Sequence, residues 1–160
     1  MHIRYTFIGI ILTLAMALSA WTCPSQNTIA ALIKVVGTAC SSIATLDGNT
    51  AAAQAILDYS NDASNAVQAW QKGSPSKDAV EALNILSGFI NSTFQGSKYL
   101  ILANIAIAAI NQILSQLPAS AGVPSKWTVD MSNPPKNADE FKAQWNAIIA
   151  THPELAAAQI

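Results

Sequence analysis

Charge is what this chain has least of. Asp, Glu, Lys and Arg make up 11% of its 160 residues, against about 25% in an average soluble domain. Eight basic and nine acidic side chains give a formal charge of −1 and a pI of about 6.0. A chain so balanced has no basic field with which to hold nucleic acid. Histidine is nearly missing: His2 and His152 are the only two. They are too few for a His-rich metal cage or for the Glu-x-x-His pairs of di-iron helical bundles. Two cysteines exclude a disulfide scaffold. The glycines stand singly and read as helix ends, so no glycine-rich loop cradles a phosphate. No residue is assigned a catalytic, cofactor-binding or metal-ligating role, and the chain reads as a non-enzyme without a cofactor.

Apolar side chains, by contrast, are plentiful. They make up 51% of the chain, and the mean hydropathy is +0.31, which excludes disorder as the main description. A length of 160 residues allows one ordinary domain.

Residues 1–22 read as a signal peptide or an N-terminal membrane anchor. Arg4 precedes an apolar run from Phe7 to Leu18, of the length expected for the core of a secretory signal, and Leu18-Ser19-Ala20 supplies small residues for cleavage. Extended from Tyr5 to Trp21, the same run approaches the length of a membrane span with an aromatic residue at each end. Either way the rest of the chain is exported. Ala20-Trp21-Thr22-Cys23 resembles the tetrapeptide before the lipidated cysteine of bacterial lipoproteins, from which Trp21 and Thr22 depart. That resemblance implies lipidation of Cys23.

A disulfide from Cys23 to Cys40 is the alternative, and unpaired thiols are a third. Geometry separates them. With a helix starting near Gln26, Cys40 lies about 21 Å up its axis. The three residues back to Cys23 reach only about 10 Å, whereas bridged Cα atoms lie within about 7 Å. A start near Thr28 lets the chain run back along the helix and close the bridge.

Beyond the leader the pattern is helical. Between Gln26 and Leu46, residues Ile29, Leu32, Ile33, Val36, Ala39, Cys40 and Ile43 recur at three- and four-residue steps. Cys40 on that stripe reads as a small core residue. Asp47-Gly48-Asn49 ends this helix, with Asn49 or Thr50 capping the next. A second helix over 51–71 presents Ile56, Tyr59, Ala63, Val67 and Trp70. The third opens with Ser74 as cap and Pro75 in its first turn and carries Val80, Leu83, Leu86, Ile90 and Phe94. The fourth, Lys98 to Leu117, is the most apolar, with Asn104, Asn111 and Ser115 as its one hydrophilic stripe. Short turns favour antiparallel neighbours. The fold class read from this is all-α: an up-down antiparallel four-helix bundle over residues 23–117, with an additional C-terminal helix.

Residues 118–136 form a Pro-rich connecting loop, in which Trp127, Val129 and Met131 alternate as in a short extended segment. Asn137 and Glu140 make a capping box for the C-terminal helix, within residues 137–160. Its Phe141, Trp145, Ile148 and Ile149 argue for docking on the bundle, and Pro153 to Ile160 reads as a frayed turn or two.

Few residues carry chemistry. Asp58 and Asp62 lie four apart on one helical face, where paired carboxylates can bind a cation or share a proton. Neighbouring Ser60, Asn61, Ser64 and Asn65 favour a solvated face instead. Asp78 and Glu81 are explained by the start of the third helix. His152 reads as an exposed terminal residue, and Asn91-Ser92-Thr93 matches the glycosylation pattern inside an apolar helix. Trp70 and Trp145 read as core, while Trp21 and Trp127 suit a membrane surface. Together these features point to a small exported protein of the cell envelope with a structural or interaction role. Its location would be the periplasm, the extracellular space or the outer face of a membrane. Its partner would be an unknown envelope protein, with membrane-surface association as a further option and no nucleic acid. The alternative is a membrane-active protein, or one that binds lipid or another hydrophobic ligand.

Overall fold

The computed structural model describes residues 26–118 and 132–160. The signal or anchor segment, Cys23 and the alternating Trp127, Val129 and Met131 lie outside the described residues. Those described are helical, with no strand among them: α1 Gln26–Leu46, α2 Thr50–Gln71, α3 Ser76–Phe94, α4 Leu100–Leu114, α5 Ala138–Thr151 and a 3₁₀ helix Pro153–Ala158. Helix α1 packs on α2, α2 on α3, α3 on α4 and α4 on α1, while α5 leans on both α1 and α4.

The apolar stripes build the core. Every residue named on the α1 stripe is buried, as are Val80, Leu83, Leu86, Ile90 and Phe94 of α3. In α4 the unbroken run Ile105 to Ile110 is buried, so this helix is enclosed on most sides, with Asn104 and Asn111 half-buried at its margin. Tyr59 and Trp70 pack on this core while remaining partly exposed. At roughly 25 cal/mol per Å² of apolar surface, such burial is the main force holding the helices together.

The turns follow local chemistry. Asp47 and Asn49 return their N–H groups to Ile43 and Ala44 carbonyls, and Gly48 between them takes φ +80°, a conformation that side-chain-bearing residues rarely adopt. Asn49 is then the cap of α2, its Oδ1 accepting from the Ala52 N–H at 3.0 Å. Across the molecule the Ser97 hydroxyl donates to Asp47 Oδ2 at 2.9 Å, tying the α3–α4 turn to the α1–α2 turn.

Several boundaries differ from the sequence reading. Helix α3 starts at Ser76 with an extended Pro75 (ψ 134°) before it and no side-chain cap bond. Ser74 is not a cap: its N–H closes the end of α2 on Ala69 O. Helix α4 starts at Leu100, later than Lys98, because the Ser97 hydroxyl oxygen accepts from the Tyr99 N–H and holds the chain in a turn. It ends at Leu114, after which Gln116 and Leu117 make tighter i→i−3 bonds.

Contrary to the expectation that the glycines mark helix ends, glycine also stands inside a helix. Gly37 sits in the middle of α1, where an added Cβ would overlap Cβ and Oγ of Ser60 on α2. Without a side chain there, the two helices approach closely. Ser60 turns its hydroxyl back to Ile56 O at 2.7 Å.

The C-terminal segment is also more ordered than frayed turns. Asn137 Oδ1 accepts from the Glu140 N–H at 2.9 Å, and the Glu140 carboxylate accepts from the Lys136 N–H at 2.9 Å, one residue before its expected capping-box partner. Phe141 and Trp145 are fully buried. Trp145 Nε1 donates to Ala158 O at 2.8 Å, and Asn146 exchanges two hydrogen bonds with the Ile160 backbone. These bonds, with Leu155 and Ala158 buried, pin residues 153–160 against α5 and α1.

Candidate functional site

The side chains singled out for chemistry mostly end up apart. Cys40 is a free thiol, wholly buried between apolar neighbours, and burial pushes its pKa well above the ordinary value. From Gln26, the first described residue of α1, about 21 Å of helix leads to Cys40. Cys23, on which both the expected lipidation and the expected disulfide depend, lies outside the described residues.

His152 sits at the end of α5, its Nδ1 3.1 Å from Glu154 Oε1, the one ion pair among the described residues. Both groups face solvent. Glu154 is held below the usual glutamate range, first by its own backbone N–H and then by His152. Asn91 is half-buried on α3, and the Ser92 hydroxyl of the same sequon is turned back to Phe89 O at 3.0 Å.

The carboxylates are the exception. Asp58 accepts a hydrogen bond from Gln54 Nε2 at 3.0 Å, one turn earlier on α2. Asp62 instead meets α3, where it lines a groove of about 280 Å³ with Tyr59, Asp78, Glu81, Ala82 and Ile85. Tyr59 stands edge-on to Phe89, with ring centroids 5.1 Å apart, which fixes it as one wall. Ile85, 48% exposed, is the most exposed large apolar side chain among the described residues. The groove therefore offers an apolar centre with negative edges. None of its three carboxylates has an ion pair among the described residues. Nor does any group of three or more His, Cys, Asp or Glu there stand ready to hold a metal ion.

Pairs judged separately, Asp58 with Asp62 and Asp78 with Glu81, thus contribute three members to one face. Reading each helix alone missed this. The signal lay in the four-residue turn between α2 and α3, because a short turn fixes which positions of two consecutive helices face each other.

No family model matches the chain, and no curated protein and no solved structure matches it.

Proposed function

We propose that the chain is an exported, non-catalytic protein of the cell envelope that acts by contact with a protein partner. Its helices α1 to α4 would run alternately up and down as an antiparallel four-helix bundle, with α5 docked beside them. Connections of three, four and five residues, and the closing of the ring by α4 on α1, support that arrangement. The observation that carries the functional reading is the separation of chemistry from the interior. Aliphatic and aromatic side chains fill the core, Cys40 is sealed within it, and the described Asp, Glu and Lys side chains stand on the outside. Such a molecule has surface to offer and no enclosed reactive centre among its described residues.

One observation favours a second reading, a membrane-active or lipid-handling protein. Thr28–Leu46 of α1 is long and apolar enough to cross a bilayer, with a mean hydropathy of 1.8. A core helix has the same composition, and most of this one is buried by its neighbours.

Export and lipid handling are tested on separate readouts. Cells producing the full chain should place it in the exported fraction, with an intact mass showing cleavage after Ala20, lipid on Cys23 or an uncleaved anchor. Full-length protein confined to the cytosol contradicts export. Protein lacking residues 1–22 should stay in solution when vesicles of neutral or anionic lipid are pelleted. Sedimentation with them favours the second reading.

A further inference from the structure

A second groove lies on the opposite chemical footing from the acidic one. Lys34, Val35, Thr38 and Ala39 of α1 line it on one side, Lys142 of α5 and Ile160 on the other, and its volume is about 270 Å³. The four α1 residues form two adjacent i, i+4 rows, so they present one continuous wall. Val35, Ala39 and Ile160 make the apolar lining. Ile160 is held in place because Asn146 Nδ2 donates to its carbonyl at 2.6 Å and Asn146 Oδ1 accepts from its N–H at 3.2 Å. The Thr38 hydroxyl is already spent on Lys34 O at 2.9 Å. The free hydrogen-bond donors among the lining side chains are therefore the two ammonium ions, both on exposed side chains and neither in an ion pair among the described residues.

An apolar trough edged by two unpaired cations is complementary to a molecule with a short alkyl chain and one negative end. We propose that this groove binds a single-chain, medium-length alkyl carboxylate, with the chain against Val35, Ala39 and Ile160 and the carboxylate between Lys34 and Lys142. At about 270 Å³ the groove lies just under the roughly 300 Å³ at which small-ligand pockets begin, which suits one short chain, and binding to vesicles separates a free carboxylate from a lipid surface. The proposal is independent of export and of a protein partner.

Titration calorimetry and amide NMR on the full chain test it, with octanoate, octylammonium, butanoate and anionic phosphatidylglycerol vesicles as probes. Octanoate should bind saturably at one site and shift the backbone amide resonances of Thr38 and Ala39. Octylammonium and butanoate should bind at least about tenfold more weakly, since one carries the opposite charge and the other lacks the chain. A K34Q/K142Q variant, altered only at exposed positions, should keep its helical spectrum and lose about tenfold in octanoate affinity. The proposal is overturned by any of three results: no saturable octanoate binding, equal affinity in the folded double variant, or lysine-dependent binding to vesicles as tight as to free octanoate.

Discussion

Replacing Gly37 with alanine is the sharpest test of how α1 and α2 meet. In an exposed helix interior, Gly→Ala stabilises by about 1 kcal/mol through backbone propensity. Here the new Cβ would fall closer to Ser60 Cβ and Oγ than the 3.0 Å that real Cβ contacts essentially never breach. Ser60 Cβ is fixed to the α2 backbone, so rotating the hydroxyl away does not clear the space and the helices must separate. Overpacking of this kind costs about 1–3 kcal/mol, which outweighs the propensity gain. The net effect expected for Gly37→Ala is a loss of up to about 2 kcal/mol, or several degrees in Tm for a domain of this size. Ser60→Ala leaves the offending Cβ in place and should not rescue it. Ser60→Gly removes both atoms, and a coupling energy of at least about 1 kcal/mol should appear between positions 37 and 60. Urea melts followed by far-ultraviolet circular dichroism measure the parent, the single variants and the doubles. A Gly37→Ala protein more stable than the parent by the full propensity gain of about 1 kcal/mol refutes the close approach.

Three further outcomes follow from the same packing. The Ser87 hydroxyl on α3 is fully buried without a hydrogen-bond partner, so Ser87→Ala should raise stability by about 1 kcal/mol; a comparable loss in urea melts would mean the hydroxyl is satisfied. Cys40 should resist maleimide at pH 8 in the folded protein and react once guanidinium unfolds it, with peptide mapping separating it from Cys23; rapid labelling without denaturant would contradict its burial. The Glu154 carboxyl should titrate below an ordinary glutamate, and His152→Ala should raise it only part of the way, because its own backbone N–H is the larger cause. With a lowered folded pKa, the contribution of Glu154 to stability is full above the ordinary value and is lost as pH falls through the lowered one. A full return to the ordinary value in His152→Ala would contradict that order of causes.

Much of the helical framework was legible because each helix carries its own periodic stripe. The stripe of α1, the buried run in α4 and the Asn137–Glu140 cap are all local patterns, readable without knowing what they pack against. What escaped depends on pairs distant in sequence. Asp62 meets Asp78 and Glu81 only once the register of α2 against α3 is set. Lys34 and Lys142 share a groove although they belong to the first and last α-helices described. Gly37 looked like one more scattered glycine, and its meaning lies in Ser60 on the neighbouring helix. The tail was misread because Pro153 and a run of alanines signal a break. The 3₁₀ spacing of Leu155 and Ala158, with the Trp145 hydrogen bond, instead holds it in place.

The central claim is that the apolar faces of α1 and α4 are spent on each other and on their neighbours, leaving the chain to act through its outside. Hydrogen exchange on the protein, measured with and without anionic vesicles, tests this most directly. Amides from Leu32 to Ile43 and from Leu102 to Ile110 should be the slowest to exchange, and their protection should be the same when vesicles are present. Rapid exchange across these segments, or a change in their protection on adding lipid, would contradict the account.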